Sequence, residues 1–264
     1  MNDILNKESF SIIRFNAELE YSSQRISGNV SQGIKTQAYT NAGVYPSNDE
    51  SQLNTFHEEN LKSFKNADVF LTGEQLKDFE RNIINYTNPN LQVRKASDLI
   101  NNGLAKKINK KKILIVSPFK KTIDKQIKKD NHIFTENEIV TYEAAQAIAG
   151  NTPHTCFKES LLIMKQDISS IDFDLALLSC GGYAIPLCSF IKNLNKGAIY
   201  IGGELQRFFF IRGRRWAQQN LKLTNVGLEV IFEDFNKDEK WTNLSDSEYP
   251  KNWESIEAGA YWYK

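Results

Sequence analysis

Between Lys112 and Gly203, short apolar runs alternate with longer segments that carry apolar residues at helical spacing. Continuous apolar runs of this kind are typical of strands buried on both faces, and intervening helices of about ten or more residues are typical of parallel sheets. The pattern therefore predicts an α/β fold built on a doubly wound, mostly parallel sheet. The predicted strands are "KILIVSPF", "EIVTYEA", "FDLALLSCGG" and "GAIYIGG", and the predicted helices are "KKTIDKQIKK", "KESLLIMKQDISS" and "YAIPLCSFIKNL".

Strand and helix patterns also occur on both sides of this core. "FSIIRF" near the N-terminus predicts a strand, and apolar residues at helical spacing predict a helix from about residue 50 to residue 66. The basic run "LAKKINKKK" has no interleaved aromatic residues, so we interpret it as a solvated helix end and expect no nucleic-acid partner. "LEVIFEDF" predicts a last strand, after which we expect the tryptophan- and tyrosine-rich tail to wrap around the domain.

The composition is that of an ordinary globular protein. Of 264 residues, 41% are apolar and 25% are charged, and the net charge is +1, which favours neither disorder nor a polyelectrolyte partner. We expect one domain over residues 1–264, with an N-terminal part (1–110), a core (111–235) and a tail (236–264). No apolar stretch approaches the roughly 18 residues that a membrane-spanning helix needs, and the N-terminus lacks the basic region of a signal peptide, so we expect a cytoplasmic protein.

Cysteine and histidine patterns predict no disulfide framework and no structural zinc site. The three cysteines (Cys156, Cys180, Cys188) have no C-x-x-C spacing, and buried reduced thiols are the simplest interpretation. The three histidines are scattered and show no ligand spacing.

Two predicted strands end in paired glycines, Gly181-Gly182 and Gly202-Gly203. Ligands of doubly wound sheets bind outside the carboxyl ends of the strands, and glycine lets a ligand approach the backbone there. A third strand ends at Ser117, which can cap the next helix, and we expect all three ends to lie at one edge of the sheet. Neither pair belongs to a G-x-G-x-x-G or P-loop motif, so a dinucleotide cofactor and a Walker-type ATPase are disfavoured. The alternative is that the glycines only form tight turns.

Arginines follow the second glycine pair in "FFFIRGRRW". Arginine suits phosphate because its planar fork donates parallel hydrogen bonds and stays charged. We expect the phenylalanines to be buried, Gly213 to break the local structure, and Arg214 and Arg215 to point in different directions. Trp216 either stacks on a base or sugar or belongs to the core.

Taken together, these segments resemble a family of bacterial proteins from surface-polysaccharide gene clusters that have a GT-D-like glycosyltransferase fold. The resemblance covers nearly the whole chain. It implies a Rossmann-like domain that binds a nucleotide-sugar, most readily a UDP-sugar, and transfers the sugar to a glycan or lipid-linked acceptor in capsule or lipopolysaccharide synthesis, with peripheral contact to membrane assembly machinery. The matching segments are "SIIRFNAELE", "NAGVYPSNDESQLNTF", "ADVFLTG", "VSPFKKTIDKQ", the run from "FDLALLSCGG" to "RGRRW", and "IEAGAYW".

The N-terminal segment departs from the GT-D pattern at the metal-binding position. GT-D enzymes have an Arg-Phe-Gly-Asp-Gly-Glu segment whose Asp-x-Glu holds a divalent metal on the diphosphate, whereas this chain is one residue shorter and has Asn16 where the aspartate is expected. Because Asn16 supplies an uncharged oxygen, affinity for Mn²⁺ or Mg²⁺ should fall. Glu18, or Glu20 two positions later, remains a candidate metal ligand; otherwise Arg14 with Arg214 or Arg215 must neutralise the diphosphate. The chain also has Phe210 where the family tends to have glycine.

These considerations give a set of candidate site residues. Sugar transfer needs a base near the acceptor hydroxyl, for which the candidates are Glu18 and Glu204. Glu18 is also the candidate metal ligand. The candidate substrate-binding residues are Arg14, Asn16, Ser117, Phe119, Gln126, Gly181, Gly182, Tyr183, Gly202, Gly203, Gln206, Gly213, Arg214, Arg215 and Trp216.

Three other functions remain open. The first is a nucleotide- or phosphosugar-binding module that has lost catalysis, as Asn16 would permit. The second is a transferase of a non-sugar substituent onto the polysaccharide. The third, a nucleophilic hydrolase using Ser179-Cys180, is disfavoured because the segment lacks the G-x-S-x-G elbow and a histidine partner segment.

Overall fold

The computed structural model describes residues 2–14, 16, 19–100, 103–215, 239–256 and 259–263. Its centre is a seven-stranded sheet in the order β3-β2-β1-β7-β6-β4-β5. Every described strand pair is parallel, which confirms the predicted α/β class. The strands are β1 (Phe10–Arg14), β2 (Val69–Thr72), β3 (Gln92–Lys95), β4 (Lys112–Ser117), β5 (Glu138–Glu143), β6 (Leu175–Leu178) and β7 (Gly197–Tyr200).

The central strands read as unbroken apolar runs because helices cover both faces of the sheet. In β4, Ile113 and Ile115 point into one hydrophobic core, while Leu114 and Val116 point into the other. Alternate side chains of a strand face opposite sides, so each side needs its own apolar residue. The α-helices are α1 (Asn2–Leu5), α2 (Leu19–Ile26), α3 (Gln32–Thr40), α4 (Glu50–Asn66), α5 (Asp78–Thr87), α6 (Ala96–Ile100), α7 (Leu104–Lys107), α8 (Lys120–Lys128), α9 (Phe157–Ser169), α10 (Ala184–Asn193) and α11 (Glu204–Phe208).

The direction of each crossover decides which face its helix covers. Connections that lead toward β3 contribute α2, α4, α5, α9 and α10 to one core, whereas those that lead toward β5 contribute α6, α7 and α8 to the other. A single crossover handedness requires this division. The chain leaves β6 toward β7 and leaves β4 toward β5, so the loops after these neighbouring strands diverge and open a crevice at their carboxyl ends.

The predicted elements of the core are confirmed, and two strands were missed. The helix predicted over residues 50–66 is α4, which begins after Asp49, whose Oδ1 accepts the Ser51 N–H at 2.9 Å. The short strands β2 and β3 were not predicted from sequence. The strand predicted from "LEVIFEDF" lies outside the described residues.

The described part of the tail packs against the sheet side that carries α8. Trp241, Leu244, Ile256 and Trp262 are buried there. The buried Glu248 carboxylate caps α8, since it accepts the backbone N–H of Thr122 at 3.1 Å and the Thr122 hydroxyl.

The expectation that Ser117 caps α8 is corrected by this arrangement. The Ser117 hydroxyl accepts the N–H of Phe119 at 3.2 Å, one residue before the helix begins. Ser117 therefore shapes the turn that leads into α8, while the tail supplies the cap of the helix itself.

Phe210 takes a backbone conformation that glycine favours. Its φ is 48°, in the left-handed region, at the position where the resembling family tends to have glycine. Its ring is buried and packs edge-on against Trp241 at 5.7 Å between ring centroids. Packing of the tail thus holds the strained turn, and the neighbouring Phe208 and Phe209 are buried as predicted.

None of the helices in the described part of the chain is long and apolar enough to cross a membrane.

Candidate functional site

A cavity of about 360 Å³ lies at the carboxyl edge of the sheet. The three strand ends predicted to meet there do so, since Phe119 after β4, Gly181 after β6 and Gly202 after β7 all line it. Its size is within the range of small-molecule sites. The described lining residues are Arg14, Asn16, Asn41, Ala42, Pro118, Phe119, Ala145, Gln146, Ala147, Ile148, Ser179, Cys180, Gly181, Tyr183, Tyr200, Gly202, Gly203, Arg215 and Tyr261.

Arg14 stands at one end of this cavity, where β1 ends beside β7. Its Nη1 donates a hydrogen bond to the carbonyl of Ile201. Gly202 has φ of 64°, and a Cβ on it would come within 3.3 Å of Arg14 Nη1. Glycine at this position therefore serves two purposes: it permits the left-handed turn and leaves room for the guanidinium.

Arg215 brings a second guanidinium to the same cavity. Its backbone N–H donates to the carbonyl of Ala260 at 3.0 Å, and its Cζ lies 4.2 Å from the ring centroid of Tyr261. The neighbouring Arg214 is exposed and does not line the cavity. The two arginines are thus placed differently, since Arg215 lines the cavity and Arg214 does not.

The opposite end of the cavity, at the β5 side, is apolar with two amide side chains. Ala147 and Ile148 line it together with Asn41 and Gln146. The Nε2 atom of Gln146 is buried and has no hydrogen-bond partner within the described part of the structure. Strands β1 and β5 are separated by four strand spacings, roughly 19 Å at about 4.8 Å each, so the strand end that carries Arg14 and the strand end that leads to Gln146 lie well apart.

The middle of the cavity is formed by groups that stay neutral. Burial raises the pKa of the Cys180 thiol and the pKa of the Tyr183 hydroxyl well above their ordinary values. The Tyr183 ring also stacks on Phe157, with ring centroids 4.6 Å apart. A protonated, buried thiol is a poor nucleophile, which argues against a hydrolase built on Ser179-Cys180.

A serine and a histidine do approach each other behind this wall. The Ser160 hydroxyl lies 2.6 Å from His154 Nδ1 and 2.7 Å from the Tyr45 hydroxyl. Ser160 is fully buried and does not line the cavity, so it is not accessible to a substrate there. We interpret this cluster as structural.

Glu204, a candidate base, lies outside the described lining of the cavity. Its carboxylate forms an ion pair with Arg207, which is one helical turn away on α11 and mostly buried. Burial lowers the pKa of Arg207, while the charge of Glu204 opposes that shift. The geometry assigns Glu204 to neutralising a buried arginine.

Two glutamines of the candidate set support the cavity wall from behind. Gln126 is buried on α8, and its Nε2 donates to the carbonyls of Phe209 at 2.9 Å and Lys240 at 2.8 Å. Gln206 Nε2 donates to the carbonyl of Tyr261 at 2.7 Å. Neither side chain lines the cavity, so both act on the tail and on residues 208–215, which we call the arginine segment.

Other candidates are also placed away from the cavity. A Cβ on Gly182 would come within 2.7 Å of the Ala42 carbonyl oxygen, so this glycine serves close packing of two loops. Ser117 and Gly213 are buried outside the lining. Glu18 and Trp216 lie outside the described residues.

The described donor set does not suit a divalent cation. Asn16 offers the side-chain oxygen nearest in sequence to the expected metal position, but Oδ1 of Asn16 accepts the Leu19 N–H at 3.2 Å at the start of α2. No group of three His, Cys, Asp or Glu side chains that could hold a metal occurs among the residues described. Two arginines, Arg14 and Arg215, line the cavity instead.

Apart from Ser179 and Cys180, four lining residues with polar side chains were not identified from sequence: Asn41, Gln146, Tyr200 and Tyr261. Gln146 follows the end of β5, so the rule that ligands gather at the carboxyl ends of strands points to it as well. Tyr200 is the last residue of β7. Asn41 and Tyr261 come from connections remote in sequence, and no local signal distinguishes them.

The fold and the cavity define a Rossmann-like α/β protein with a candidate anion-binding site at the carboxyl edge of its sheet. No protein-family model matches the chain, and neither a curated protein nor a solved structure shows significant similarity to it.

Proposed function

We propose that this cavity binds a nucleoside diphosphate-linked sugar. The observation that carries the proposal is the presence of two guanidinium groups, Arg14 and Arg215, in one cavity at the carboxyl edge of a parallel sheet. Diphosphate carries negative charge that guanidinium groups neutralise through charge-assisted hydrogen bonds.

The polarity of the cavity suggests how such a ligand lies in it. The diphosphate belongs beside Arg14, and the nucleobase belongs at the apolar end near Ile148. There the Nε2 of Gln146, which has no hydrogen-bond partner among the described residues, would donate to a carbonyl oxygen of the base. Uracil offers such oxygens, which agrees with a UDP-sugar as donor.

The activity that we propose for this site is glycosyl transfer to a glycan or lipid-linked acceptor of surface polysaccharide, in the cytoplasm. The bond between the anomeric carbon and the diphosphate oxygen breaks, and its electron pair leaves on the diphosphate. The acceptor oxygen bonds to the anomeric carbon and gives its proton to a base. Guanidinium groups at the diphosphate stabilise the developing charge of the leaving group. Glu18, two positions after Asn16 in the sequence, is the proposed base.

A second candidate function is a binding module without catalysis. The specific observation in its favour is that no carboxylate is found among the described residues that line the cavity. Glu204 is engaged by Arg207, so it is poorly placed to take a proton from an acceptor.

Two measurements test these proposals together. Calorimetric titration with UDP, GDP, ADP and CMP, each with and without Mn²⁺, tests binding, and hydrolysis of the corresponding nucleotide-sugars tests turnover. Binding with turnover that Glu18→Gln abolishes supports the transferase, whereas binding without turnover supports the module. Absence of binding to every nucleotide overturns both.

A further inference from the structure

The last described segment of the chain, residues 259–263, forms direct hydrogen bonds with the arginine segment. Arg215 N–H donates to the Ala260 carbonyl at 3.0 Å, and Arg214 N–H donates to the Trp262 carbonyl at 3.2 Å. The side chain of Gln206 donates to the carbonyl between them, that of Tyr261, at 2.7 Å. Three successive carbonyls of this segment thus accept hydrogen bonds from the part of the cavity wall that carries Arg215.

The segment is itself anchored in the core. Trp262 is fully buried, and its Nε1 donates to the carbonyl of Glu248 at 3.1 Å. Its ring lies edge-on to Phe119, with centroids 6.3 Å apart, and Phe119 lines the cavity. The backbone of Tyr261 is therefore held on both sides, by Gln206 and by the burial of its neighbour.

This anchoring places the Tyr261 ring against the Arg215 guanidinium, where both residues line the cavity. A contact at 4.2 Å from the ring centroid engages the π-face of the ring, so it attracts the cation without using up guanidinium N–H donors. An arginine held in this way loses side-chain rotamer freedom before the ligand arrives, so binding costs less conformational entropy.

We propose that Tyr261 is a positioning residue for the anionic ligand. Its ring holds the Arg215 guanidinium at the cavity in the orientation that receives a phosphate group. This inference rests on the proposed function for the identity of the ligand as a diphosphate. It assigns to the tail a role in ligand binding in addition to its packing.

Arg214 provides the matched contrast. It is the adjacent residue in sequence and is bonded to the same segment through its backbone, but its side chain is exposed and outside the cavity lining. Removal of the Arg214 side chain should therefore leave anion binding unchanged, although it alters the net charge by the same amount as removal of Arg215.

The test is a double-mutant cycle with two probes, UDP and inorganic diphosphate, titrated into the full chain. Tyr261→Leu, which keeps an apolar side chain without a π-face, should weaken binding of both probes by about 3- to 30-fold, the range of a cation–π contact. Tyr261→Phe should bind within about twofold of the wild type. In the Arg215→Ala background, Tyr261→Leu should have no further effect, because residues that act through one another are not additive. Arg214→Ala is the control, and thermal unfolding checks that each variant is folded.

The outcomes separate the inference from the proposed function. Additive effects of Tyr261→Leu and Arg215→Ala, unchanged affinity of Tyr261→Leu, or a Phe variant as weak as the Leu variant would each overturn the positioning role while nucleotide binding stands. If the chain binds diphosphate without any preference for UDP, the proposal of a nucleotide ligand is overturned, but the role of Tyr261 can still be measured with diphosphate. A wild-type chain that binds neither probe overturns both.

Discussion

Gly202 and Arg14 face each other across the ends of two neighbouring strands, at a distance that leaves little room for a Cβ atom on the glycine. A Cβ on Gly202 would lie 3.3 Å from Arg14 Nη1, and that nitrogen is bonded to the carbonyl of the preceding residue, Ile201. The end of β7 therefore binds the Arg14 guanidinium, and the missing side chain of Gly202 leaves space for it.

Gly202→Ala should accordingly reduce ligand binding as well as stability. A non-glycine residue at φ of 64° costs about 1–2 kcal/mol, and the added methyl group displaces Arg14 as well. Gly73→Ala is the matched control, since Gly73 has an ordinary φ and open space around its Cβ position. We expect the control to stay within about 0.5 kcal/mol of the wild type in chemical unfolding. The folded Gly202 variant is titrated with UDP to measure its affinity. An affinity equal to that of the wild type would show that Arg14 does not contact the ligand.

Arg215→Ala should weaken binding of nucleoside diphosphates by about 1.5–3 kcal/mol, the range for a hydrogen bond to a charged partner. Arg214→Ala should leave the affinity nearly unchanged, because Arg214 is exposed outside the cavity lining. Calorimetric titration of both variants measures the difference. Equal losses in the two variants would indicate a diffuse charge effect and remove Arg215 from the site.

Glu248 should contribute to stability through the cap of α8. Its carboxylate accepts the Thr122 backbone N–H and is mostly buried, so Glu248→Ala leaves a helix-end donor unsatisfied. The expected loss in unfolding free energy is about 1–3 kcal/mol. Glu254→Ala, at an exposed position of the same tail, is the control and should change little. Denaturant unfolding measures the free energy of unfolding of both variants. An equal loss in the two variants would argue that the aromatic residues alone hold the tail.

The sheet was predictable where strands are buried on both faces. The strands β4, β6 and β7 carry unbroken apolar runs because two cores cover them. By contrast, β3 has the sequence "QVRK" and is mostly exposed at the edge of the sheet, so backbone pairing with β2 defines it and no hydrophobic pattern does.

The site was predictable to the extent that it follows from strand ends. The rule that ligands gather at carboxyl ends located Gly181 and Gly202, because parallel strands bring those ends together whatever the loops do. The rule could not locate Tyr261, whose place depends on how the tail packs. Nor could it foresee that Glu204 pairs with Arg207, since an i, i+3 contact forms only if α11 begins where it does.

Stability should fall on mild acidification because His132 is buried in its neutral form. Burial lowers the pKa of His132 below its ordinary value of 6.5, although the charge of Asp130 opposes the shift. Nδ1 of His132 also accepts the Phe134 N–H at 3.2 Å, a bond that needs the neutral ring. Between the lowered native pKa and 6.5 the unfolded chain binds more protons than the native one, so stability rises with pH in that window and is lost as pH falls through it.

Replacement of that histidine tests this pH dependence. His132→Asn should flatten the part of the unfolding free energy that varies below about pH 6.5. His57, whose pKa is also lowered by burial, should account for the remaining slope. Denaturant titrations at several pH values measure both slopes. A His132 variant with the wild-type slope would assign the acid sensitivity elsewhere.

Gln146→Ala should separate recognition of the base from recognition of the phosphates. The Nε2 atom of Gln146 is buried without a described partner at the end of the cavity opposite Arg14. If it donates to a base carbonyl, its loss should weaken the binding of UDP by about 0.5–1.5 kcal/mol, the range of a neutral hydrogen bond. The binding of inorganic diphosphate should be unaffected. Arg14→Ala should weaken both ligands, because it acts on the part that they share. Parallel titrations should therefore show a loss confined to UDP for the Gln146 variant and a loss shared by UDP and diphosphate for the Arg14 variant. General unfolding would not produce a loss confined to UDP. A Gln146 variant that weakens diphosphate as much as UDP would place the phosphates at the β5 end and reverse the proposed orientation of the ligand.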